Sequence, residues 1–300
     1  MSDFLLSWGW HLAGGLAQRV PLRLAYAVAN FLGDLAYVFW RSKREIAKHN
    51  LAGVLRREPD ELTVARTARQ SFREYAKYVV EIMRLPLLSD AEIGALVEVQ
   101  GTANFTRALA HGKGVIFVSA HFGNFELGGI HVADAIAPMT VLADDIRMKR
   151  IFETLLGHRS RRGVHLVTEG MARAALGALR RNELVGLMMD LGPRAQAFDT
   201  VKATFCGRDT VFPAVAAQLA RVSGAPIVVG CVVRRSGQRF LGIANEPIFV
   251  ERTKEALGDV QRATQRIVSD IERFVTSWPE QWYIFRPMWP REAREHASPA

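Results

Sequence analysis

His121 and Glu126 stand five residues apart in the stretch Gly114 to Gly129, GVIFVSAHFGNFELGG. A sugar or glycerol hydroxyl attacks a thioester poorly at neutral pH unless its proton is removed during attack, and an imidazole titrates in the range suited to taking it. A carboxylate on the far ring nitrogen would fix the tautomer and stabilise the imidazolium that forms. The pair therefore reads as a general base, His121, oriented by Glu126, and the chemistry it suits is acyl transfer to a hydroxyl. By spacing alone, the same residues also suit a capping or packing histidine beside a solvated helix acid.

Position favours the first reading. The apolar run Val115 to Val118 reads as a buried strand that Ser119 and Ala120 end, which places His121 at the carboxyl end of that strand. Open α/β sheets bind ligands at that edge. With Asn124 opening the next helix, Glu126 falls in the first turn, near backbone donors that favour developing negative charge. Asn124 is for the same reason grouped with the residues expected to meet substrate. The chain has no Gly-x-Ser-x-Gly elbow, and Cys206 has no partner evident in the sequence. Direct attack by the acceptor is thus expected in place of a covalent acyl-enzyme.

Other polar residues fall near the same edge. Asp190 closes the run Leu184 to Met189 and is expected to bind an acceptor hydroxyl or pair with an arginine. In Gly207-Arg208-Asp209-Thr210, Asp209 or Thr210 is expected to cap a helix starting near Pro213, with Arg208 reaching anionic substrate. Arg159, Arg161 and Arg162 follow a helix end, where cations are favoured in any case. Arg234, Arg235 and Arg239 flank Ser236-Gly237-Gln238, the turn of a surface hairpin that could meet an acidic partner.

The elements that must position these residues alternate strand and helix. Strand-like runs fall at 115–118, 139–142, 164–167, 184–189, 201–205, 227–233 and 240–250, residues 97–104 read as a strand and turn or as the start of a helix that takes in Phe105, Leu109 and Ala110, and helical patterns fall at 62–84, 124–135, 144–157, 171–180, 213–222 and 255–278. That rhythm predicts an α/β fold with a mostly parallel central sheet flanked by helices.

Residues 1–42 form a separate hydrophobic segment before an α/β domain over 43–290 and a polar tail over 291–300. From Leu22 to Trp40 the chain is nearly continuously apolar, interrupted by Arg23, Asn30 and Asp34. A bilayer span wants ~20 mostly apolar residues, and an acid at mid-depth costs a few kcal/mol, so an in-plane anchor, a span and a core helix all remain open. Ala25, Ala29 and Gly33 repeat every four residues and form a face suited to close packing. With 39 Lys and Arg against 30 Asp and Glu, the net charge is +9, and Arg41, Lys43, Arg44 and Lys48 lie just after the apolar run. This favours an anionic membrane surface at the cytoplasmic side over nucleic acid, for which no zinc-finger spacing or aromatic-basic motif is present. The two cysteines, Cys206 and Cys231, offer neither a disulfide framework nor metal spacing.

The phrase SAHFGNFELGG resembles the His-x4-Asp/Glu motif of the lysophospholipid acyltransferase superfamily. Its asparagine and aromatic residues are similar to the branch containing bacterial lipid A acyltransferases and phosphatidylinositol mannoside acyltransferases. Further matches follow in order: Lys43-Arg44 to Asn50-Leu51, Arg159 to Gly163, Leu187 to Asp190, Phe205-Cys206-Gly207, and Leu219-Ala220 to Gly224-Ala225-Pro226. The resemblance covers roughly residues 5 to 289 and implies a glycerol-3-phosphate acyltransferase-like fold. It also implies an enzyme on the cytoplasmic face of the inner membrane, moving a fatty acyl group from acyl carrier protein or acyl-CoA to a glycolipid hydroxyl, with no other cofactor and no metal. His121 matches the base, Glu126 the charge-relay acid, and Arg159 an arginine near the reacting centre. The chain departs from common forms at Leu191, where glutamine is usual, and at Cys206, where a second phenylalanine is usual.

Overall fold

The apolar run after Gly114 forms strand β2 (Val115–Ser119), the middle strand of a seven-stranded sheet in a computed structural model that describes residues 2–143, 162–190, 192 and 198–289. Around it lie β1 (Val97–Gln100), β3 (Met139–Leu142), β4 (Val164–Val167), β5 (Leu184–Met188), β8 (Ile227–Arg234) and β9 (Phe240–Ala244). Strands β6 (Thr200–Phe205) and β7 (Arg208–Pro213) pair only with each other, as an antiparallel hairpin. The large sheet runs β1-β9-β8-β2-β5-β3-β4, with every neighbour parallel except β8 and β9. The mostly parallel α/β sheet expected from the rhythm is the observed architecture.

A parallel sheet covered on both faces needs strands that are apolar on both sides, and β2 meets this with Val-Ile-Phe-Val. Ile116 and Val118 share one core with Val185, Leu187, Val229 and residues of helices α8 (Met171–Arg180), α9 (Val215–Ser223) and α10 (Ala256–Ser277). Val115 belongs to the opposite core with Leu184, Val228 and residues of α5 (Asp90–Leu96), α6 (Thr102–Leu109) and α7 (Phe125–Ala135). The alternation splits one short strand between two hydrophobic layers.

Before the sheet the chain makes α1 (Ser2–Arg19), α2 (Leu22–Phe39), α3 (Arg41–Leu55) and α4 (Leu62–Arg84). The small-residue face of α2 packs against α4: Ala25, Ala29 and Gly33 are buried, and a Cβ on Gly33 would come within 2.7 Å of the Arg73 Cα. Asp34, the acid in the apolar run, is clamped by Arg69 and Arg73 at 2.6 to 2.8 Å. The opposite face of α2, including Leu24, Val28, Phe31, Leu32, Val38 and Phe39, is exposed.

Two expectations give way. The strand expected over 240–250 stops at Ala244, and the chain turns through Pro247 so that Ile248 pairs with Ile227. The segment after Phe205 turns at Cys206 (φ 54°) and Gly207 (φ 77°) into β7. Asp209 and Thr210 therefore cap no helix. Asp209 accepts from the Thr204 hydroxyl at 2.9 Å, Thr210 donates to the Met288 carbonyl at 2.6 Å, and α9 begins at Val215.

The aromatic tail covers the core, with Trp282, Tyr283 and Trp289 buried. It is tied down by Asn50, whose amide donates to the carbonyls of Ile284 and Arg286 and accepts from the Met288 N–H, at 2.8 to 3.0 Å. The helix expected over 144–157, the basic residues Arg147, Lys149 and Arg150, and Arg159 and Arg161 lie outside the described residues.

Candidate active site

Register decides which acid meets His121. Strands β2 and β5 are adjacent and parallel, with Ser119 opposite Met188, and the Met189 N–H donates to the Ser119 carbonyl at 3.0 Å. Two residues past each strand end, His121 and Asp190 come side by side. Asp190 Oδ1 lies 2.8 Å from His121 Nδ1, and its Oδ2 accepts the His121 backbone N–H at 2.9 Å and the Trp282 indole N–H at 3.0 Å. The acid on the ring is thus Asp190, and the expectation that Glu126 orients the imidazole is corrected. Glu126 is where the sequence put it, in the first turn of α7, but strand pairing brings Asp190 to Nδ1 first.

Asp190 is buried, and burial pushes its carboxyl up. The His121 charge, the ring and backbone N–H donors and the indole outweigh this and hold it below the usual aspartate range. An ionised carboxylate accepts a proton-bearing Nδ1, which leaves the lone pair on Nε2. The imidazole side chain is 28% exposed, and Nε2 has no hydrogen-bond partner among the described residues. Among the described residues nothing occupies the nitrogen that would receive a proton.

The backbone of the loop is pinned from both sides. The His121 carbonyl accepts from Tyr283 N–H and the Gly123 N–H donates to the Gln281 carbonyl, both at 2.9 Å, while Asn124 N–H donates to the Val232 carbonyl at 3.0 Å. Gly123 has φ 56°, and a Cβ there would lie 1.8 Å from the Val232 oxygen, so only glycine fits.

Asn124, expected to meet substrate, is engaged by the protein itself. Its oxygen caps α7 by accepting the Leu127 N–H at 2.9 Å, and its amide donates to Glu81 at 2.8 Å, so both ends of a buried side chain are used. Asp190, expected at an acceptor hydroxyl or an arginine, instead gives its oxygens to the imidazole, the His121 backbone N–H and Trp282 among the described residues. Arg208 opens β7 with its guanidinium 5.2 Å from the Trp289 ring. It reaches the site only through a stack: Trp289 on Phe205 at 5.7 Å, and Phe205 against Trp282 at 5.7 Å. The expectation for Arg159 lies outside the described residues.

Three residues here were missed by sequence reasoning. Trp282 donates to Asp190, and Glu81 and Arg234 support the loop from behind. Arg234, expected on a hairpin surface, is buried between Glu74 and Glu81. One sequence signal was available, namely that Arg234 directly extends a wholly apolar strand. The cysteines do not compete with the imidazole as nucleophiles. Burial, with the Glu272 charge, pushes the Cys206 thiol up to about 12, and burial raises that of Cys231 as well.

Beside the imidazole stands an aromatic wall. Phe125 meets the His121 ring edge-on at 5.4 Å, Tyr78 packs on Phe125 at 4.8 Å, and Tyr283 on Tyr78 at 5.7 Å. Tyr75 extends it to the surface, 5.5 Å from Tyr283. An open groove of ≈ 640 Å³ on the other face of α4 is lined by Arg66, Arg69, Arg73, Lys77 and Arg235. Arg69 and Arg73 share the single carboxylate of Asp34 and Lys77 pairs with Glu74, so part of this positive charge is already neutralised within the protein.

A buried carboxylate behind a half-exposed imidazole, at the carboxyl edge of a parallel sheet, defines an α/β protein with a site equipped for proton abstraction. The chain belongs to the bacterial lipid A biosynthesis acyltransferase family, whose model matches residues 4–291, and it is an acyltransferase. It is 24% identical over 295 residues to a phosphatidylinositol mannoside acyltransferase of Mycolicibacterium smegmatis, covering 96% of this chain and 91% of the relative. A phosphatidylinositol mannoside acyltransferase of Mycobacterium tuberculosis is 24% identical over 311 residues, covering 98% and 90%. The lipid A biosynthesis palmitoleoyltransferase of Escherichia coli is 25% identical over 272 residues, covering 87% and 84%.

Proposed function

We propose that the protein transfers a fatty acyl group from acyl carrier protein or coenzyme A to a hydroxyl of a membrane glycolipid, with His121 as general base and Asp190 as its orienting acid. The acceptor hydroxyl gives its proton to Nε2 while its oxygen bonds to the thioester carbonyl carbon. The tetrahedral oxyanion then collapses, the C–S bond breaks, and the departing thiolate takes the proton back from the imidazolium. No cofactor beyond the acyl donor enters this scheme. The single observation that carries it is the 2.8 Å contact between His121 Nδ1 and Asp190, with Nε2 unpaired among the described residues.

The aromatic wall of Phe125, Tyr78, Tyr283 and Tyr75 offers apolar surface for an acyl chain, each sequestered CH₂ being worth ~0.8 kcal/mol. Helix α2 is long and apolar enough to cross a membrane, and only 17% of it is buried. A span would carry the ion pairs of Asp34 with Arg69 and Arg73 into hydrocarbon, at high cost. The arrangement favours an in-plane helix, with Phe31, Leu32 and Phe39 turned toward lipid and the site on the cytoplasmic side where acyl carriers are found.

Purified protein with acyl carrier protein or coenzyme A thioester and bacterial glycolipid tests the reading. Acyl transfer is expected from the wild type and essentially none from His121→Ala; equal rates reject the role of His121. For the acceptor, a mannosylated phosphoinositide is the second reading, favoured by the greater share of this chain that the mannoside acyltransferases match. Mass spectrometry of products from a lipid A precursor and a phosphatidylinositol mannoside offered together separates the two.

A further inference from the structure

A buried polar cluster runs from the surface helix α2 to the residue that opens α7. Tyr26 of α2 donates to Glu81 Oε1 at 2.5 Å. The same carboxylate accepts from Arg234 Nε at 2.6 Å and Arg234 Nη2 at 2.8 Å. Its Oε2 also accepts the Asn124 amide at 2.8 Å, three residues from His121. Arg234 spends its remaining nitrogen on Glu74, which Lys77 and Gln70 also hold at 2.8 and 2.7 Å. The cluster closes on the tail, with Arg234 N–H donating to the Gln281 side chain at 2.8 Å and Gln281 returning a bond to the Arg234 carbonyl at 3.1 Å.

The charges balance, with Glu74 and Glu81 against Arg234 and Lys77. Side chains of Arg234, Glu74 and Glu81 are 6 to 8% exposed, so nothing in solvent can replace a lost partner. Burial and the Glu81 charge push the Tyr26 hydroxyl well above the usual tyrosine range, so it stays a donor. Glu81 is therefore shared between a helix whose outer face is bare apolar surface and the cap of the helix that follows the imidazole. A simple anchor has no need of such a bond.

We propose that α2 is a positioning element of the catalytic loop, acting through the chain Tyr26, Glu81 and Asn124, and not merely an attachment to the membrane. Loss of the Tyr26 donor leaves Glu81 free to tilt toward Arg234, loosens the Asn124 cap, and lets the segment from His121 to Leu127 shift relative to Asp190. The proposal rests on the reading of His121 as base only for its kinetic consequence. The structural consequence stands by itself.

Tyr26→Phe removes one hydroxyl and leaves the exposed face of α2 untouched. Compared with wild type, it should bind anionic phosphatidylglycerol vesicles unchanged and retain KM. Its kcat should fall about tenfold, the factor set by one charge-assisted hydrogen bond. Hydrogen exchange at the Leu127 amide, which reports the Asn124 cap directly, should speed up. Asn124→Asp keeps an acceptor that caps α7 but sets a negative charge against Glu81; it should match or exceed Tyr26→Phe in both readouts, whereas a residue that only caps would leave kcat unmoved. Tyr37→Phe, on the same helix and without a hydroxyl hydrogen bond among the described residues, should match wild type. Unchanged exchange and unchanged kcat in Tyr26→Phe overturn the proposal. So does a loss confined to vesicle binding, which assigns α2 to attachment alone. A wild type inactive on every thioester refutes the proposed reaction, while the exchange measurement still decides the link from α2.

Discussion

Two sets of buried acids meet the segment from His121 to Asn124, Glu74 and Glu81 from helix α4 and Asp190 from the end of β5, and they are finished in opposite ways. Glu74 and Glu81 are nearly buried and well supplied: between them they accept from Arg234, Lys77, Gln70, Tyr26 and Asn124. Asp190 is also well supplied, but its partner is not, because the His121 ring is half-exposed with Nε2 unpaired among the described residues. A closed network holds its surroundings in one arrangement, while an open atom on a held ring can exchange a proton. The contrast fits the proposed reaction, in which the first cluster supports and the second carries the chemistry.

The largest effect that would sharpen this division is expected at the open end. His121→Ala should lower kcat by about two to four orders of magnitude with donor binding largely kept, and Asp190→Asn should approach it by leaving the ring in the wrong tautomer. If Asp190→Asn transfers acyl groups at the wild-type rate, the two clusters do not differ in kind. Next comes the closed cluster, where Arg234→Met strands two buried carboxylates and should destabilise the fold by about 3–5 kcal/mol in denaturant titration. Wild-type stability in Arg234→Met would erase the contrast from the other side.

A smaller effect follows from acid. Burial pushes the Glu74 carboxyl up, but Arg234 and Lys77 outweigh it and hold it below the ordinary 4.5. A group lowered on folding adds stability that is present above its unfolded value and is lost as pH falls through the folded one. Wild type should therefore lose stability below about pH 4.5 more steeply than Glu74→Gln, measured by urea midpoints at pH 6 and pH 3.5. Glu126→Ala should reduce turnover less than Asp190→Asn, since Asp190 holds Nδ1. The smallest effect on chemistry belongs outside both clusters: Phe31→Ser on the exposed apolar side of α2 should weaken vesicle binding roughly tenfold with kcat unchanged in detergent.

Much of the frame was legible in the chain. Strands β2, β3, β4 and β5 announced themselves as short apolar runs bounded by glycine or polar turns, and α4 and α8 by helical spacing. The small-residue face of α2 was legible too, although its partner was not. The hairpin β6–β7 was half seen, because a strand whose return strand carries Arg-Asp-Thr does not look apolar. The tail aromatics could equally have met lipid or core, and long-range bonds decided for the core: three with Asn50, the Trp282 indole on Asp190 and the Tyr283 N–H on the His121 carbonyl.

What the sequence determined by itself was local: a histidine at the end of a buried strand, an aspartate at the end of another, a glycine where the chain must turn, and a long apolar helix with one small-residue face. Local spacing made Glu126 the natural partner of His121, because neighbours in sequence are the only neighbours a sequence displays. Tertiary structure chose Asp190 instead. Placing β5 beside β2, parallel and in register, carries a residue 69 positions away to within 2.8 Å of the ring. Strand order is set by how the helices cover both faces of the whole sheet, a packing problem no five-residue window contains.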